Sequence, residues 1–137
     1  MFELKKKFKI CAAHRLNNPE MGKEINKKWF GRCNEVHGHN YSIILTLRTT
    51  AEVLGPDGMM INFNNLKDIF NKYIDDVYDH TVLNDSPLFK NKVVTAEYMA
   101  KVFYEILKPQ VKDLYAVEIE ETEGASAKYF KSDCGCK

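Results

Sequence analysis

Residues 33–50 read CNEVHGHNYSIILTLRTT: a thiol, a carboxylate and two imidazoles that run straight into a β-strand pattern. From Asn40 to Thr50, Tyr41, Ile43, Leu45 and Leu47 alternate with Ser42, Ile44, Thr46 and Arg48, the period of a half-buried strand. Side chains two apart in an extended chain point the same way, so His37 and His39 continue the face of Tyr41. Two neutral imidazoles so placed can reach one ion at the usual Zn–N distance of about 2.0–2.1 Å. Gly38 between them adds no side chain and lets the backbone pass close to whatever the rings hold. Taken alone, His-x-His is equally a polar start to a strand.

The other histidines weigh on that choice. The chain has four, at positions 14, 37, 39 and 80. From Phe2 to Ala13 the sequence alternates as a first strand, and Phe8, Ile10, Ala12 and His14 share its apolar face. An imidazole there needs a partner, either as a hydrogen-bonded core residue or as a ligand. Consecutive strands usually neighbour one another, which brings His14 beside the His37/His39 pair. Three histidines on two adjacent strands match a catalytic zinc site, with three protein ligands and a fourth position open.

Working outward, residues 17–31 break the strand pattern with Asn-Asn-Pro and a mixed charge run, and read as a long loop leading to Cys33. Such a loop is either an active-site flap or a solvated excursion. Gly55-Pro56-Asp57-Gly58 is a turn, and residues 59–63 read as a short extended piece. From Asn64, the expected N-cap, to Val77, the apolar residues Leu66, Ile69, Phe70, Tyr73, Ile74 and Val77 fall at helical spacing. A second helix starts at Thr95 and runs through Met99, Phe103 and Leu107 to Pro109, which stops it. Residues 114–122 and 126–131 form a hairpin around Glu123-Gly124-Ala125. The order ββααββ gives an α+β domain, one antiparallel sheet with two helices on a face.

In the third strand Tyr115, Val117 and Ile119 are read on one face, and Glu121 continues it. A carboxylate at an otherwise apolar position needs a partner unless the strand end frays into water. A flat ring with adjacent N–H and NH₂ donors would satisfy both oxygens at once.

Bulk properties narrow the classes. At 137 residues the chain is a single domain able to bury a core without staples. A net charge of +1 gives no argument for nucleic acid or an anionic membrane as partner, and no apolar run approaches a membrane span. Four cysteines at irregular spacing do not suggest a disulfide framework, and a reducing, cytoplasmic location is expected.

Several motifs agree in order and spacing. Ala12-Ala13-His14-Arg15-Leu16, Cys33-x3-His37-Gly38-His39-Asn40-Tyr41, Asp79-His80 and Glu121-Thr122 resemble the pyruvoyl-tetrahydropterin synthase family, which includes the 6-carboxytetrahydropterin synthases of queuosine biosynthesis. The resemblance covers nearly the whole chain. It implies the tunnelling fold, in which subunits close their sheets into a barrel and stack as a homohexamer of two trimers. It also implies Zn²⁺ on His14, His37 and His39, with Cys33, Asp79 and His80 as the catalytic, proton-handling residues. A thiol near a cation or an imidazole has a lowered pKa and can act as a base at neutral pH. Glu121 would anchor a pterin, and Thr95 matches a position near the pterin pocket, although its reading as a helix cap stands first. The implied substrate is 7,8-dihydroneopterin triphosphate. The Cys-x3-His-x-His spacing resembles the carboxy-forming enzymes, whereas the pyruvoyl-forming animal enzymes tend to have a longer gap. A third branch carries a glutamate three residues before the first histidine, where this chain has Asn34.

Three features stand outside the pattern. Cys33 could instead close a structural zinc site in a non-catalytic pterin-binding protein. Asn62-Phe63 stands where the family often has Asp-Phe, which is expected to bear on local capping. Residues 131–137, ending Cys134-Gly135-Cys136-Lys137, read as an untethered tail. Cys11 is read as a small buried residue.

Overall fold

The computed structural model describes residues 1–132; Cys134 and Cys136 lie outside the described residues. Four strands form one antiparallel sheet in the order β1-β2-β3-β4: β1 Phe2–His14, β2 His37–Thr49, β3 Leu114–Thr122 and β4 Ala125–Phe130. The β1/β2 register sets Ile10 opposite Tyr41, Ala12 opposite His39 and His14 opposite His37. One sheet face is therefore continuous from Leu4 at one end to the histidines at the other. Ile10, Ala12, Tyr41, Ile43, Leu45, Val117 and Ile119 on that face are all 3% exposed or less.

Helices cover this face. The helix α2, Phe63–Phe70, passes through a π-helical stretch, Asn71–Asp75, into the single turn α3, Asp76–Tyr78. Leu66, Phe70 and Ile74 are its buried stripe, and Phe70 stacks on Phe8 with ring centroids 4.1 Å apart. The cap is Asn62 rather than Asn64: the Asn62 side chain accepts a hydrogen bond from the Asn64 backbone N–H at 2.8 Å. The residue that departs from the family pattern is thus the one that satisfies an orphan donor of the first turn. Residues 59–62 form no strand, with a bend at Met60 and Ile61, and Phe63 already belongs to the helix. The helix α4, Ala96–Leu107, is capped as expected by Thr95, whose hydroxyl accepts from the Tyr98 backbone N–H at 3.2 Å. Its Met99, Ala100, Phe103 and Leu107 are fully buried.

Two further departures have physical causes. Residues 17–31 are not all loop, for they contain the helix α1, Lys23–Phe30, followed by a 3₁₀ turn, Gly31–Asn34. Its only buried residue is Asn26, whose amide donates to the carbonyls of Asn18, Met21 and Gly22 and accepts from the Asn18 backbone N–H. A helix held by a polar side chain shows no apolar period. In β3 a bulge opposite Thr46/Leu47 turns Leu114 into the core and Tyr115 onto the outer face. There Tyr115 stacks against Phe130, and the Arg48 guanidinium lies 3.6 Å from its ring centroid. Cys11 also lies on the outer face and is exposed rather than buried. Among the described residues no helix is long and apolar enough to cross a membrane.

Candidate active site

The register of β1 and β2 converges three imidazoles at the end of the buried face. Ring centroids lie 4.6 Å apart for His14 and His37, 5.1 Å for His14 and His39, and 4.9 Å for His37 and His39. Ala12, opposite His39, is small enough to leave the rings room. His14 is fully buried, and its Nδ1–H donates to the Val94 carbonyl at 2.8 Å. His37 makes the equivalent bond to the Glu35 carbonyl at 2.7 Å. A carbonyl can only accept, so both rings carry a proton on Nδ1, and in the neutral tautomer this leaves Nε2 bare. Backbone carbonyls in this role set the tautomer and orientation of a ligating histidine.

The site also has a fourth donor. Glu121 continues the face of Val117 and Ile119, and the pairing of Ser42 with Glu120 brings it level with Tyr41. Its Oε1 stands 3.2 Å from His39 Nε2. One donor atom from each of His14, His37, His39 and Glu121 lies within 4.8 Å of all the others. His14 Nε2, His39 Nε2 and the Tyr41 hydroxyl are buried without a hydrogen-bond partner among the described residues. Orphaned buried nitrogens are rare unless something outside the protein satisfies them. Burial holds His14 and His39 below their ordinary pKa, against the opposing pull of Glu121. Burial, helped by Glu121, pushes the Tyr41 phenol up. Three imidazoles and one carboxylate are a donor set that fits a zinc ion.

Glu121 and Thr95 both line a cavity of about 340 Å³, along with Leu16, Glu97 and Ser126. The two residues expected at the pterin therefore share one pocket, next to the imidazoles.

The expected proton-handling residues are dispersed. Cys33 is exposed in the 3₁₀ turn after α1, where its carbonyl accepts from Leu16 N–H and Asn34 Nδ2 donates to the Leu16 carbonyl. It is not among the converging donors, a place that Glu121 takes instead. Asp79 and His80 lie along the open edge of β1. Asp79 Oδ1 accepts from Cys11 N–H at 2.8 Å, and His80 N–H donates to the Cys11 carbonyl. These bonds hold His80 at φ 59°, in the left-handed region. Its Nδ1 is 2.6 Å from Asp79 Oδ2, and its side chain is 79% exposed. The Cys11 N–H, followed by His80, draws Asp79 below the usual carboxylate range. His80 borders a hollow with Cys11 and Gly38, whose parity along β1 and β2 is opposite to that of the three histidines. Gly38 thus belongs to the other face, where an added Cβ would meet only the Ala12 carbonyl oxygen at 3.6 Å. Neither Asp79 nor His80 is among the donors that converge within this chain; the pair stands along the β1 edge, with His80 beside Cys11 and Gly38.

The approach of Glu121 to the histidines, the carbonyls of Glu35 and Val94, and the buried Tyr41 hydroxyl were not read from the sequence. The parity of Glu121 was the one available signal, and only the β2/β3 register turns it into proximity.

Residues 3–132 match the family model for 6-pyruvoyl tetrahydropterin synthase. The chain is 38% identical over 116 residues to a 6-pyruvoyl tetrahydrobiopterin synthase of Dictyostelium discoideum, covering 83% of this chain and 84% of the relative. It is 34% identical over 108 residues to a 6-carboxy-5,6,7,8-tetrahydropterin synthase of Bacillus subtilis, covering 76% of this chain and 64% of the relative. Its fold matches the solved structure of the Caenorhabditis elegans 6-pyruvoyl tetrahydropterin synthase with a TM-score of 0.86 and 35% identity, over 96% of each chain.

Proposed function

The chain belongs to the 6-pyruvoyl tetrahydropterin synthase family of pterin-metabolising enzymes, and from that premise we propose that it is a zinc-dependent lyase acting on 7,8-dihydroneopterin triphosphate. The observation that carries this reading is the convergence of His14, His37 and His39, with backbone carbonyls holding the Nδ1 of His14 and of His37 so that Nε2 is the atom each turns to the cluster. When bound there, zinc supplies Lewis acidity toward the oxygens of the substrate side chain and so acidifies the adjacent C–H bonds.

The residues of the chain do the rest. Glu121 accepts the N–H and NH₂ of the pterin edge within the 340 Å³ cavity, and Thr95 lines the same wall. Cys33, exposed after α1, removes a side-chain proton. Asp79 keeps its charge at neutral pH and steadies the His80 imidazole as the second proton carrier. Since that pair is not among the groups converging with the imidazoles of its own chain, a second copy of the chain brings it to the site. This agrees with a homohexamer of two trimers.

The Cys33-x3-His37-x-His39 spacing favours loss of triphosphate with side-chain cleavage, giving 6-carboxy-5,6,7,8-tetrahydropterin and acetaldehyde as in queuosine biosynthesis. A second reading, 6-pyruvoyltetrahydropterin as product, is favoured by the name of the 38% identical Dictyostelium relative. Incubating the zinc-loaded protein with dihydroneopterin triphosphate, followed by mass analysis of pterin and volatile products, decides between them. Acetaldehyde supports the first reading, and triphosphate release with an intact carbon skeleton supports the second. No turnover would end the enzyme reading.

A further inference from the structure

We infer that Glu121 is a fourth ligand of the metal centre in the substrate-free protein and surrenders that position when the pterin ring enters. This rests on the reading of His14, His37 and His39 as the zinc site and of the adjacent cavity as the pterin pocket.

Three observations carry it. First, Glu121 Oε1 is 3.2 Å from His39 Nε2, yet that nitrogen makes no hydrogen bond. Neither atom is satisfied by the other, and a donor atom of each residue lies within 4.8 Å of the ligating atoms of His14 and His37. Ligands about 2.0–2.2 Å from a tetrahedral ion stand on the order of 3.3–3.6 Å apart, so the separation suits two atoms of one coordination shell. Second, Glu121 extends a strand face whose Val117 and Ile119 are fully buried, and among the described residues no lysine or arginine forms an ion pair with it. A partly buried carboxylate without a cation is costly, and a divalent ion supplies the missing charge. Third, the same side chain lines the cavity with Thr95. The carboxylate therefore stands on the boundary between the ion and the pocket.

Glu121 cannot give an oxygen to the ion and both oxygens to a pterin edge at full strength. Docking of the ring would draw the carboxylate into the pocket and leave the ion held by the three imidazoles. A metal closed until the correct ring is seated does not react with stray hydroxyl compounds. Specificity for the ring thus becomes a condition for opening the metal, through differential binding to two arrangements of one side chain.

Cobalt(II) in place of zinc tests this, because its d–d absorption reports the number and type of ligands directly, without turnover. The probe is a pterin lacking any C6 side chain, which has no side-chain oxygen to offer the ion. The expected result is that this pterin changes the spectrum of the wild-type cobalt protein. Glu121→Gln should start from a different spectrum, give no response to pterin, and bind cobalt at least about tenfold more weakly in chelator competition. Glu121→Asp, which keeps a carboxylate, should recover part of the wild-type spectrum and so separate loss of a ligand from misfolding. A Glu121→Gln protein with wild-type spectrum and cobalt affinity would overturn the proposal while leaving the three-histidine site intact. Failure of the wild-type protein to bind cobalt would overturn both.

Discussion

The Nδ1–H of His14 donates to the carbonyl of Val94, a residue 80 positions away, at 2.8 Å in a fully buried setting. That one bond links the end of β1 to the segment leading into α4, and it fixes which nitrogen of His14 is left bare. The orientation of His14 in the cluster consequently depends on tertiary packing as much as on the strand that carries it.

On the proposed ligand assignment, replacing His14 with alanine removes one of three imidazoles from the ion, and it strands the Val94 carbonyl. Zinc affinity should fall by more than about 100-fold, beyond the usual loss on removing an outer-sphere partner, and turnover should go with it. Metal content after dialysis against a weak chelator measures this. Retention of stoichiometric zinc by His14→Ala would count against the ligand assignment.

Cys33 makes its structural contacts through its backbone, and its residue is exposed. Cys33→Ala should therefore keep its zinc and its thermal midpoint while turnover drops by about 10²–10⁴-fold, the range for loss of a general base. A protein that loses zinc or stability instead would point to Cys33 as a structural ligand.

Asp79 titrates below its ordinary value of 3.8, chiefly because of the Cys11 N–H and then His80. A carboxyl with a depressed folded-state pKa binds protons less readily than the unfolded chain does. Its stabilising contribution is complete above about 3.8 and disappears as pH falls through the folded-state value. Thermal midpoints of wild type and Asp79→Asn, compared at one protein concentration, should differ at pH 7 and converge below pH 3.8. A gap that stays constant with pH would rule out this linkage.

Asn62 caps α2 through its side-chain oxygen. Asn62→Ala should cost about 0.5–2 kcal/mol, whereas Asn62→Asp should be neutral or gain a few tenths, since a carboxylate caps equally well and suits the positive end of the helix. Thermal unfolding with metal content held fixed reads both. Equal midpoints for Asn62→Ala and wild type would show the cap to be idle.

Much of this molecule could be read along the chain because its main signals are local. Period-two alternation locates β1, β2 and β3 to within a few residues, and helical spacing locates α2 and α4. The same parity sets His14, His37 and His39 on one face before any coordinates are known. Local signals fail where a segment is held by polar contacts or a register shift. Asn26, bonded to three backbone carbonyls, holds α1 in a stretch with no apolar period, and the β3 bulge reverses the expected face of Tyr115.

The strands, the helices over residues 64–77 and 95–107, the histidine face and the family are all legible along the chain. Only packing between distant segments brings Glu121 to the imidazoles, sets the Val94 and Glu35 carbonyls on the Nδ1 of His14 and His37, and ties Asp79–His80 to the edge of β1. The reason is physical. The direction of a side chain follows from backbone geometry two residues at a time, whereas its neighbours follow from register and packing between segments far apart in the chain.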